Sequence, residues 1–305
     1  MQAFLIDASI YIFRSYFTLP DNWRAQESGF PTQAVYGFTN FLLDLLRQKQ
    51  PDFIACAFDE SLGSGFRHAM SAEYKSNREL PNDALAFQLN ACRQLCRVFG
   101  ITEIASSTYE ADDLIGGMVK IAIDCNIQPV IVSRDKDLMQ LVHENVLYWD
   151  FGKYQPQTQA RLEKKLEICC NQIPDFLALM GDASDNIAGL PGVGSKTAKQ
   201  LLSYFPDIDS MLEHLDQLQD LPIRGAKKLA DKFVVGRDQL ILSRELATII
   251  REIEDMPSSD NLRWRGIQAQ AFELFADEMG FGSVFSSRIS ELKHRPFVPG
   301  LSPQE

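Results

Sequence analysis

The sequence lacks several features, and each absence narrows the range of functions. It contains no run of the roughly 18 apolar residues that a membrane helix requires, and its start shows no secretory leader pattern. Its six cysteines form no C-x-x-C pair, so neither a zinc ribbon nor a thioredoxin-type motif is indicated. Its four histidines are widely separated, which disfavours a histidine-based metal site. We therefore expect a cytoplasmic protein with no membrane partner.

Positive charge is also scarce, with 30 lysines and arginines against 41 acidic residues and a net charge of −11. On its own this balance argues against a nucleic-acid partner, because such proteins usually carry a basic surface. The net charge counts against a nucleic-acid partner only if the acidic residues have no role of their own. With 305 residues, the chain can form one large domain or two small ones.

Three short apolar segments have the composition of buried strands, and each leads into aspartate at its carboxyl end. The segments are Gln2–Ile6, Phe53–Phe58 and Pro129–Ser133. The aspartates that follow are Asp7, Asp59, Asp135 and Asp137. Strands that alternate with amphipathic helices predict a parallel sheet, whose carboxyl edge is where ligands bind. Acidic residues at three strand ends therefore indicate one shared site.

A fourth acidic segment lies at the predicted start of a helix. Glu110, Asp112 and Asp113 fall within four residues, and Ser107 with Glu110 has the spacing of a capping box. Acidic residues favour the positive end of the helix dipole, which accounts for one or two of the three. Three acids within four residues are more than capping needs, which favours a divalent-cation site.

The second half of the chain is predicted to be helical and contains a glycine-rich segment, Gly189–Thr197. It is not a P-loop, because Ser195 separates the last glycine from Lys196. We interpret it as a helix-hairpin-helix, in which backbone N–H groups at a helix start bind a phosphate. Ser195 would cap that helix, and Lys196 and Lys199 would add positive charge. A plain glycine-rich connection remains the alternative.

Aromatic and basic residues alternate in the loop after the second strand. They are Phe66, Arg67, Tyr74, Lys75 and Arg78. This composition suits phosphate contacts and base stacking, although solvated loops often look similar. The position directly after Asp59 favours the binding interpretation.

In this order, the motifs resemble those of the 5′ nuclease (flap endonuclease) family, and most closely the 5′–3′ exonuclease domain of bacterial DNA polymerase I. The resemblance covers about residues 2–292. It rests on Asp7, Phe58-Asp59, Phe66-Arg67, Tyr74-Lys75-x-x-Arg78, Tyr109 to Asp113, Asp135-Lys136-Asp137, Gly181-Asp182-x-Ser184-Asp185-Asn186 and Gly189 to Ala198. It implies a structure-dependent 5′–3′ exonuclease or flap endonuclease that acts on DNA with free or flapped 5′ ends.

The resemblance also implies a set of metal ligands. One ion would be held by residues matching Asp7, Asp59, Glu110 and Asp112. The rest of the acidic cluster would serve a second ion, directly or through water, and comprises Asp113, Asp135, Asp137, Asp182 and Asp185. Oxygen-only ligands suit Mg²⁺ or Mn²⁺. These nine acids would account for most of the net negative charge, so the low pI would not argue against DNA.

The remaining implied roles concern DNA. Lys75 and Arg78 would approach the scissile phosphate as catalytic residues, Tyr74 would lie beside the terminal nucleotide, and Arg67 would contact DNA. The hairpin would hold duplex backbone, in relatives with a K⁺ ion at its turn. Its DNA-binding residues would be Gly192, Gly194, Ser195, Lys196 and Lys199.

The predicted fold is an α/β protein with a mainly parallel central sheet flanked by helices, a PIN-like 5′ nuclease core, plus a helical subdomain. The core would cover residues 1–170, with an arch-like segment at about 62–81. The helical subdomain would cover 171–292, with the helix-hairpin-helix at 189–200, and a flexible tail would follow at 293–305. We expect a monomer and a free-standing enzyme.

Three alternatives remain open at this stage. A PIN-type ribonuclease shares the sheet and the acidic cluster but would lack the hairpin. A haloacid-dehalogenase-type phosphatase needs D-x-D after its first strand, whereas this strand ends Asp7-Ala8-Ser9. A structure-specific DNA-binding module without catalysis is the third, and the complete set of acids together with Lys75 argues against it.

Overall fold

The computed structural model describes residues 1–61, 63–223 and 225–292. The strands are β1 (Gln2–Asp7), β2 (Phe53–Asp59), β3 (Thr102–Ser106), β4 (Gln128–Val132) and β5 (Leu147–Trp149). The helices of the first half are α1 (Ala8–Thr18), α2 (Gln33–Lys49), α3 (Phe66–Met70), α4 (Asp83–Val98), α5 (Ala111–Asp124) and α6 (Gln159–Leu166). The predicted tail, 293–305, and Leu62 in the predicted arch-like segment lie outside the described residues.

The second half of the described chain is helical, as predicted. Its helices are α7 (Ile173–Met180), α8 (Ser195–Tyr204), α9 (Ile208–Glu213), α10 (Leu215–Gln219), α11 (Ala226–Val235), α12 (Arg237–Ala247), α13 (Ala269–Glu278) and α14 (Ser286–Leu292). Short 3-10 helices cover Asp137–Leu141, Cys170–Gln172 and Ser259–Leu262.

The sheet has the strand order β3-β2-β1-β4-β5, and its neighbouring strands run parallel. This confirms the predicted α/β class. The connections change direction between β1 and β4, and such a switch point leaves a crevice at the carboxyl edge. Asp7 ends β1 and Asp59 ends β2, so two of the predicted acids lie at this edge.

Buried apolar side chains form one core on each face of the sheet. On one face α1, α2 and α4 pack with α13 and α14. On the other face α5 packs against the sheet, and the same cluster continues without interruption into α7, α8, α11 and α12. Helices α7 to α12 are therefore an extension of one face of the core, which brings the turn between α7 and α8 to the carboxyl edge of the sheet.

The segment after about residue 259 packs on the α/β core, although the predicted subdomain boundaries placed it with the other helices. The Trp264 backbone N–H donates to the Asp52 carbonyl at 2.9 Å, and the Trp264 indole N–H donates to the Phe99 carbonyl at 2.8 Å. The Thr32 hydroxyl donates to the Met279 carbonyl at 2.8 Å. These bonds place the segment against the loops around α2 and α4.

Two predicted helix caps are wrong. The cap of α5 is Glu110, whose backbone N–H donates to the Asp113 carboxylate at 3.1 Å, so the capping box does not involve Ser107. The cap of α8 is Gly194, and Ser195 is the first helical residue with no capping hydrogen bond. In both helices the N-cap is a different residue from the predicted one, and it has an extended backbone conformation.

The described helices are all too short or too polar to cross a bilayer.

Candidate active site

The predicted acidic residues converge because the strand ends and the start of α5 are tied together. The Ala111 backbone N–H donates to the Asp59 carboxylate at 2.8 Å, which joins the start of α5 to the end of β2. The Ser133 hydroxyl donates to Asp7 at 2.8 Å, which joins the residue after β4 to the end of β1. Asp7 and Asp59 thus lie at the ends of two neighbouring strands, and Asp7 borders the switch point directly.

Five of these carboxylates form what we call the open acidic cluster. Its members are Asp7, Asp59, Asp112, Asp135 and Asp137. Within residues 1–61, 63–223 and 225–292, none of the five takes part in an ion pair with lysine or arginine. Their negative charges act on one another, and Asp7 is buried while the other four are half-buried.

Burial, together with the neighbouring negative charges, raises the pKa of every member of the open acidic cluster. Burial, followed by the charge of Asp59, raises the pKa of Asp7 to about 7. Burial, followed by the charges of Asp135 and Asp185, raises the pKa of Asp137 to about 8. Burial is also the first cause of the raised pKa values of Asp59, Asp112 and Asp135. A bound cation would reverse this effect because it stabilises the ionised form.

Three other acids each have a basic partner, and we call them the paired carboxylates. They are Glu110, Asp113 and Asp185. The Lys75 ammonium lies 2.9 Å from both Glu110 oxygens and 3.5 Å from Asp185. The Arg78 guanidinium donates to Asp185 at 2.5 Å. The predicted catalytic residues thus lie at the border of the open acidic cluster.

Lys75 keeps its charge in this position. Burial alone would lower its pKa, but the nearby carboxylates, first of all Glu110, raise the pKa above its usual value. The ammonium group therefore acts as a fixed positive charge beside the cluster at any physiological pH.

Asp113 has no free oxygen for a metal ion. Its carboxylate is fully buried and receives two hydrogen bonds from Arg67, at 2.6 and 2.8 Å, and one from the Ile250 backbone N–H at 2.8 Å. The sequence-based expectation was a metal ligand. The structure instead uses Asp113 to join the start of α5 to the segment after α12.

Arg67 was expected to contact DNA, and the structure buries it instead. It is 3% exposed. Besides Asp113, it donates to the carbonyls of Leu246 and Thr248, at 2.8 and 2.6 Å. Its donors are thus directed into the protein, at the junction between α3, α5 and the end of α12.

Tyr74 was also expected to contact DNA, and like Arg67 it is buried. It is 2% exposed, and its hydroxyl donates to Glu110 at 3.0 Å. The expected position beside a terminal nucleotide would require access that this packing does not give. In the structure the Tyr74 hydroxyl instead helps to fix the position of the Glu110 carboxylate.

The turn between α7 and α8 brings Asp182 and Asp185 to the same site. Both raise the pKa of Asp137 through their charge, which places them beside the open acidic cluster. The Ser184 backbone N–H and hydroxyl donate to Asp182 at 2.6 and 2.7 Å, which orients that carboxylate. The helical half of the chain therefore contributes acids to a site on the sheet.

The chemistry of the site fits a hard cation, because all its donors are carboxylate oxygens and no member of the open acidic cluster forms an ion pair within the described residues. In the described parts of the chain, however, no three acids stand close enough together to hold one ion as they are. In addition, the Lys75 ammonium group occupies both oxygens of Glu110.

A groove of about 510 Å³ opens from the site and has an aromatic wall that the sequence reasoning missed. Its wall includes Phe13, Tyr16 and Phe17 of α1 and faces Lys75 and Arg78. Phe17 is 75% exposed, an unusual position for a phenylalanine. The available signal was the spacing of three aromatic residues on one helix directly after Asp7.

The glycine-rich turn before α8 presents accessible backbone. Gly192 has a left-handed φ of 78°, and a side chain at Gly194 would meet no atom within 4 Å. Gly192, Gly194, Ser195 and Lys196 are exposed. Lys199 forms an ion pair with Glu167 at 2.8 Å on the same surface. The predicted DNA-binding residues of the hairpin are therefore gathered on one open face.

Two protein-family models match consecutive parts of the chain. Residues 2–167 match the 5′-3′ exonuclease N-terminal resolvase-like domain, which is more than half of the chain. Residues 168–270 match the 5′-3′ exonuclease C-terminal SAM fold. The chain belongs to the 5′-3′ exonuclease family. The sequence-based resemblance is thereby confirmed.

Two relatives illustrate how this 5′-3′ exonuclease chain compares in length. It is 32% identical over 98% of its residues to DNA polymerase I of Caldicellulosiruptor bescii, but covers only 35% of that protein. It is 33% identical over 80% of its residues to a 5′-3′ exonuclease of Buchnera aphidicola, and covers 85% of it. The chain thus spans about a third of its polymerase relatives.

Two solved structures share the fold at lower identity. The T5 5′-exonuclease with bound zinc superposes with a TM-score of 0.66 at 17% identity, covering 96% of this chain and 99% of the phage protein. The catalytic core of Rad2 in complex with DNA substrate superposes with a TM-score of 0.63 at 15% identity, covering 95% and 91%. At these identities the likeness establishes the fold alone.

Proposed function

We propose that this 5′-3′ exonuclease family member hydrolyses phosphodiester bonds near free or flapped 5′ ends of DNA with the help of two divalent ions. The observation that carries the proposal is the open acidic cluster. The five carboxylates have no ion-pair partner within the described residues and repel one another; Asp7 is buried and the other four are half-buried. The site is therefore at its most stable when cations bind there. The positive side chains of Lys75 and Arg78 lie at its border, where a phosphate could be held.

In this proposal one ion is held by Asp7, Asp59, Glu110 and Asp112. The other ion is held, directly or through water, by Asp135, Asp137, Asp182 and Asp185. Asp113 is assigned a structural role, because its hydrogen bonds to Arg67 and Ile250 leave it no free oxygen. Carboxylate ligands favour Mg²⁺ or Mn²⁺.

Binding at the first site requires Lys75 to release Glu110. The ammonium group is well placed to do so, since it is already shared with Asp185. Once released, Lys75 and Arg78 can stabilise the negative charge that develops on the phosphate during hydrolysis. Bound divalent ions would supply an activated water and charge neutralisation. Histidine and serine nucleophiles have no part in this scheme.

The aromatic groove suits the unpaired 5′ strand. Aromatic side chains stack on bases without regard to sequence, which matches an enzyme that acts on any 5′ end. Phe13, Tyr16 and Phe17 line the path that leads to Lys75 and Arg78. This assignment replaces Tyr74 and Arg67 as nucleotide contacts.

The hairpin would bind duplex DNA at a distance from the acids. Its exposed backbone at Gly192 and Gly194, the helix start at Ser195 and the charges of Lys196 and Lys199 suit phosphate contacts. A K⁺ ion at the turn would add to the positive potential. We propose that the protein acts as a monomer in the cytoplasm, and that its specificity comes from DNA shape.

The test is incubation of a 5′-labelled flap duplex with the purified protein, with Mg²⁺ or with EDTA. We expect short labelled products only with Mg²⁺, and sizing on flap, nicked and blunt substrates separates exonuclease from flap activity. DNA binding without metal-dependent cleavage would refute the proposal and favour a DNA-binding module. Cleavage of single-stranded RNA in preference to DNA would favour a PIN-type ribonuclease.

A further inference from the structure

The segment that carries Lys75 is attached to the turn between α7 and α8, and we call the two parts together the latch. On the core side it consists of residues 73–78, and on the helical side of residues 182–187. The Lys75 backbone N–H donates to the Asp185 carbonyl at 2.9 Å, and the Asn77 side-chain amide donates to the Ala183 carbonyl at 2.9 Å. The latch therefore joins two parts of the chain that are about a hundred residues apart.

Lys75 has a backbone conformation that it does not adopt easily. Its φ is 51°, in the left-handed region that non-glycine residues with long side chains rarely occupy. Such a conformation persists only when the surrounding structure fixes it. The residues on either side of Lys75 should therefore be held by specific contacts.

Asn186 supplies those contacts. Its side-chain amide donates to the Glu73 carbonyl at 2.7 Å and to the Ser76 hydroxyl at 3.2 Å. These two bonds enclose Lys75 from both sides along the chain. Asn186 itself has a φ of 54°, which asparagine tolerates better than most residues.

The turn that presents Asn186 is itself well fixed. Asp182 and Ile187 exchange backbone hydrogen bonds of 2.9 and 2.8 Å across it. Ile187 is buried, with 6% of its surface exposed. The turn therefore fixes the position of the Asn186 amide, and the amide in turn restrains residues 73–76.

We propose that Asn186 is a positioning residue that holds Lys75 in its left-handed conformation beside the acidic cluster. The consequence for catalysis rests on the proposed function, in which Lys75 approaches the phosphate. Whether Asn186 holds Lys75 does not depend on the proposed function, because it concerns only how often the latch opens. The two can therefore be tested separately.

The direct test is Asn186→Gly, which keeps the left-handed backbone and removes both donors. The matched control is Asn126→Gly, because Asn126 has the same conformation, with a φ of 56°, on a loop after α5. A lysine-specific protease should cut after Lys75 only when the latch opens. Loss of two hydrogen bonds predicts about tenfold faster cleavage after Lys75 in Asn186→Gly. Cleavage after the exposed Lys164 serves as the internal reference and should not change.

The second arm measures DNA cleavage with enzyme in excess over a 5′-labelled flap substrate. Asn186→Gly should slow the reaction about tenfold at saturating DNA, with unchanged DNA affinity in EDTA. In a Lys75→Ala background the same substitution should cause no further loss, because its effect passes through Lys75. Asn126→Gly should behave as the unaltered protein.

Unchanged cleavage after Lys75 in Asn186→Gly would overturn the inference. Faster cleavage after Lys75 with an unaltered DNA reaction would overturn the consequence for catalysis, since the latch would then not position a working residue. If the unaltered protein cleaves no DNA at all, the proposed function fails, and the protease comparison still decides whether Asn186 holds Lys75.

Discussion

The two groups of carboxylates at the edge of the sheet differ in how their charge is balanced. Each paired carboxylate is neutralised by a side chain: Glu110 by Lys75, Asp113 by Arg67 and Asp185 by Arg78. The open acidic cluster has no such balance among the described residues, and its pKa values are raised. The paired group stabilises the fold as it is, whereas the open group needs cations from outside.

The difference is sharpest within a single turn of helix. Asp112 and Asp113 are neighbours in the sequence, yet the pKa of Asp112 is well above its usual value, first because of burial and then because of the charge of Asp135. Asp113 is fully buried and receives hydrogen bonds from both sides. Asp112 thus belongs to the site and Asp113 stabilises the fold, although they are neighbouring aspartates in one motif. Only their tertiary contacts distinguish them.

The largest expected effect is that of Asp59→Asn. It removes one charge from the open acidic cluster and should lower the rate of flap cleavage by about a thousandfold, because charge stabilisation by an ion is worth several kcal/mol. DNA affinity in EDTA should change little. Single-turnover kinetics measures the rate, and Asp124→Asn, at an exposed surface pair with Lys120, is the control. A thousandfold loss of DNA affinity instead would assign Asp59 to binding.

Arg67→Met tests the paired group. It leaves the carboxylate of Asp113 buried without its basic partner, which should lower the free energy of unfolding by about 3–5 kcal/mol. Urea denaturation measures the loss. Arg93→Met is the matched control, because Arg93 pairs with Glu103 near the surface and should cost about 1 kcal/mol or less. A small loss of stability with a large loss of DNA affinity would restore Arg67 as a DNA contact.

Lys75→Ala tests the border between the two groups. The rate of cleavage should fall about a hundredfold or more, because a positive charge beside the reacting phosphate is lost. Divalent-ion binding, followed by calorimetry, should not weaken, because Glu110 becomes free of its partner. Lys120→Ala is the surface control. Weaker ion binding in Lys75→Ala would contradict the proposal that Lys75 and the first ion compete for Glu110.

A smaller effect is expected on stability as a function of pH. The folded pKa of Asp7 is about 7 and that of Asp137 is about 8, both above the value of 3.8 for an unperturbed aspartate. Between pH 4 and 8 the folded protein therefore binds protons that the unfolded chain has released, and these groups lower the stability as pH rises. Without metal, Asp137→Asn should lessen the fall in melting temperature from pH 5.5 to pH 8 by a few degrees.

The effect of Mg²⁺ on the melting temperature provides a control for this pH dependence. It should raise the melting temperature more at pH 8 than at pH 5.5, because at low pH protons compete for the same carboxylates. The difference between the two pH values should shrink in Asp137→Asn. An equal rise at both pH values would mean that Mg²⁺ does not bind at the open acidic cluster.

The parts of the fold that the sequence predicted are those with strong local patterns. The bounds of β1, β2 and β4 were predicted to within one residue because these strands are continuous apolar runs. The strands β3 and β5 were missed, since Thr102–Ser106 is half polar and Leu147–Trp149 has only three residues. Their pairing with neighbouring strands, more than their composition, makes them strands.

The site could be located from the sequence, but the role of each residue could not. Acids at the carboxyl ends of parallel strands must meet, so the presence of a site followed from topology. The burial of Arg67 depends on the carbonyls of Leu246 and Thr248, about 180 residues away, and no local pattern records that contact. The same holds for Tyr74, whose aromatic and polar character suits either a nucleotide or a buried contact with Glu110.

The most direct test of the central claim compares the two neighbours in α5. Cleavage of a 5′-labelled flap duplex in Mg²⁺ is measured for Asp112→Asn and Asp113→Asn, and each rate is corrected for the folded fraction. We expect Asp112→Asn to stay folded and to lose about a thousandfold in rate. We expect Asp113→Asn to lose stability while each folded molecule cleaves at close to the unaltered rate. A fully folded Asp113→Asn that is as inactive as Asp112→Asn would contradict the division between open and paired carboxylates.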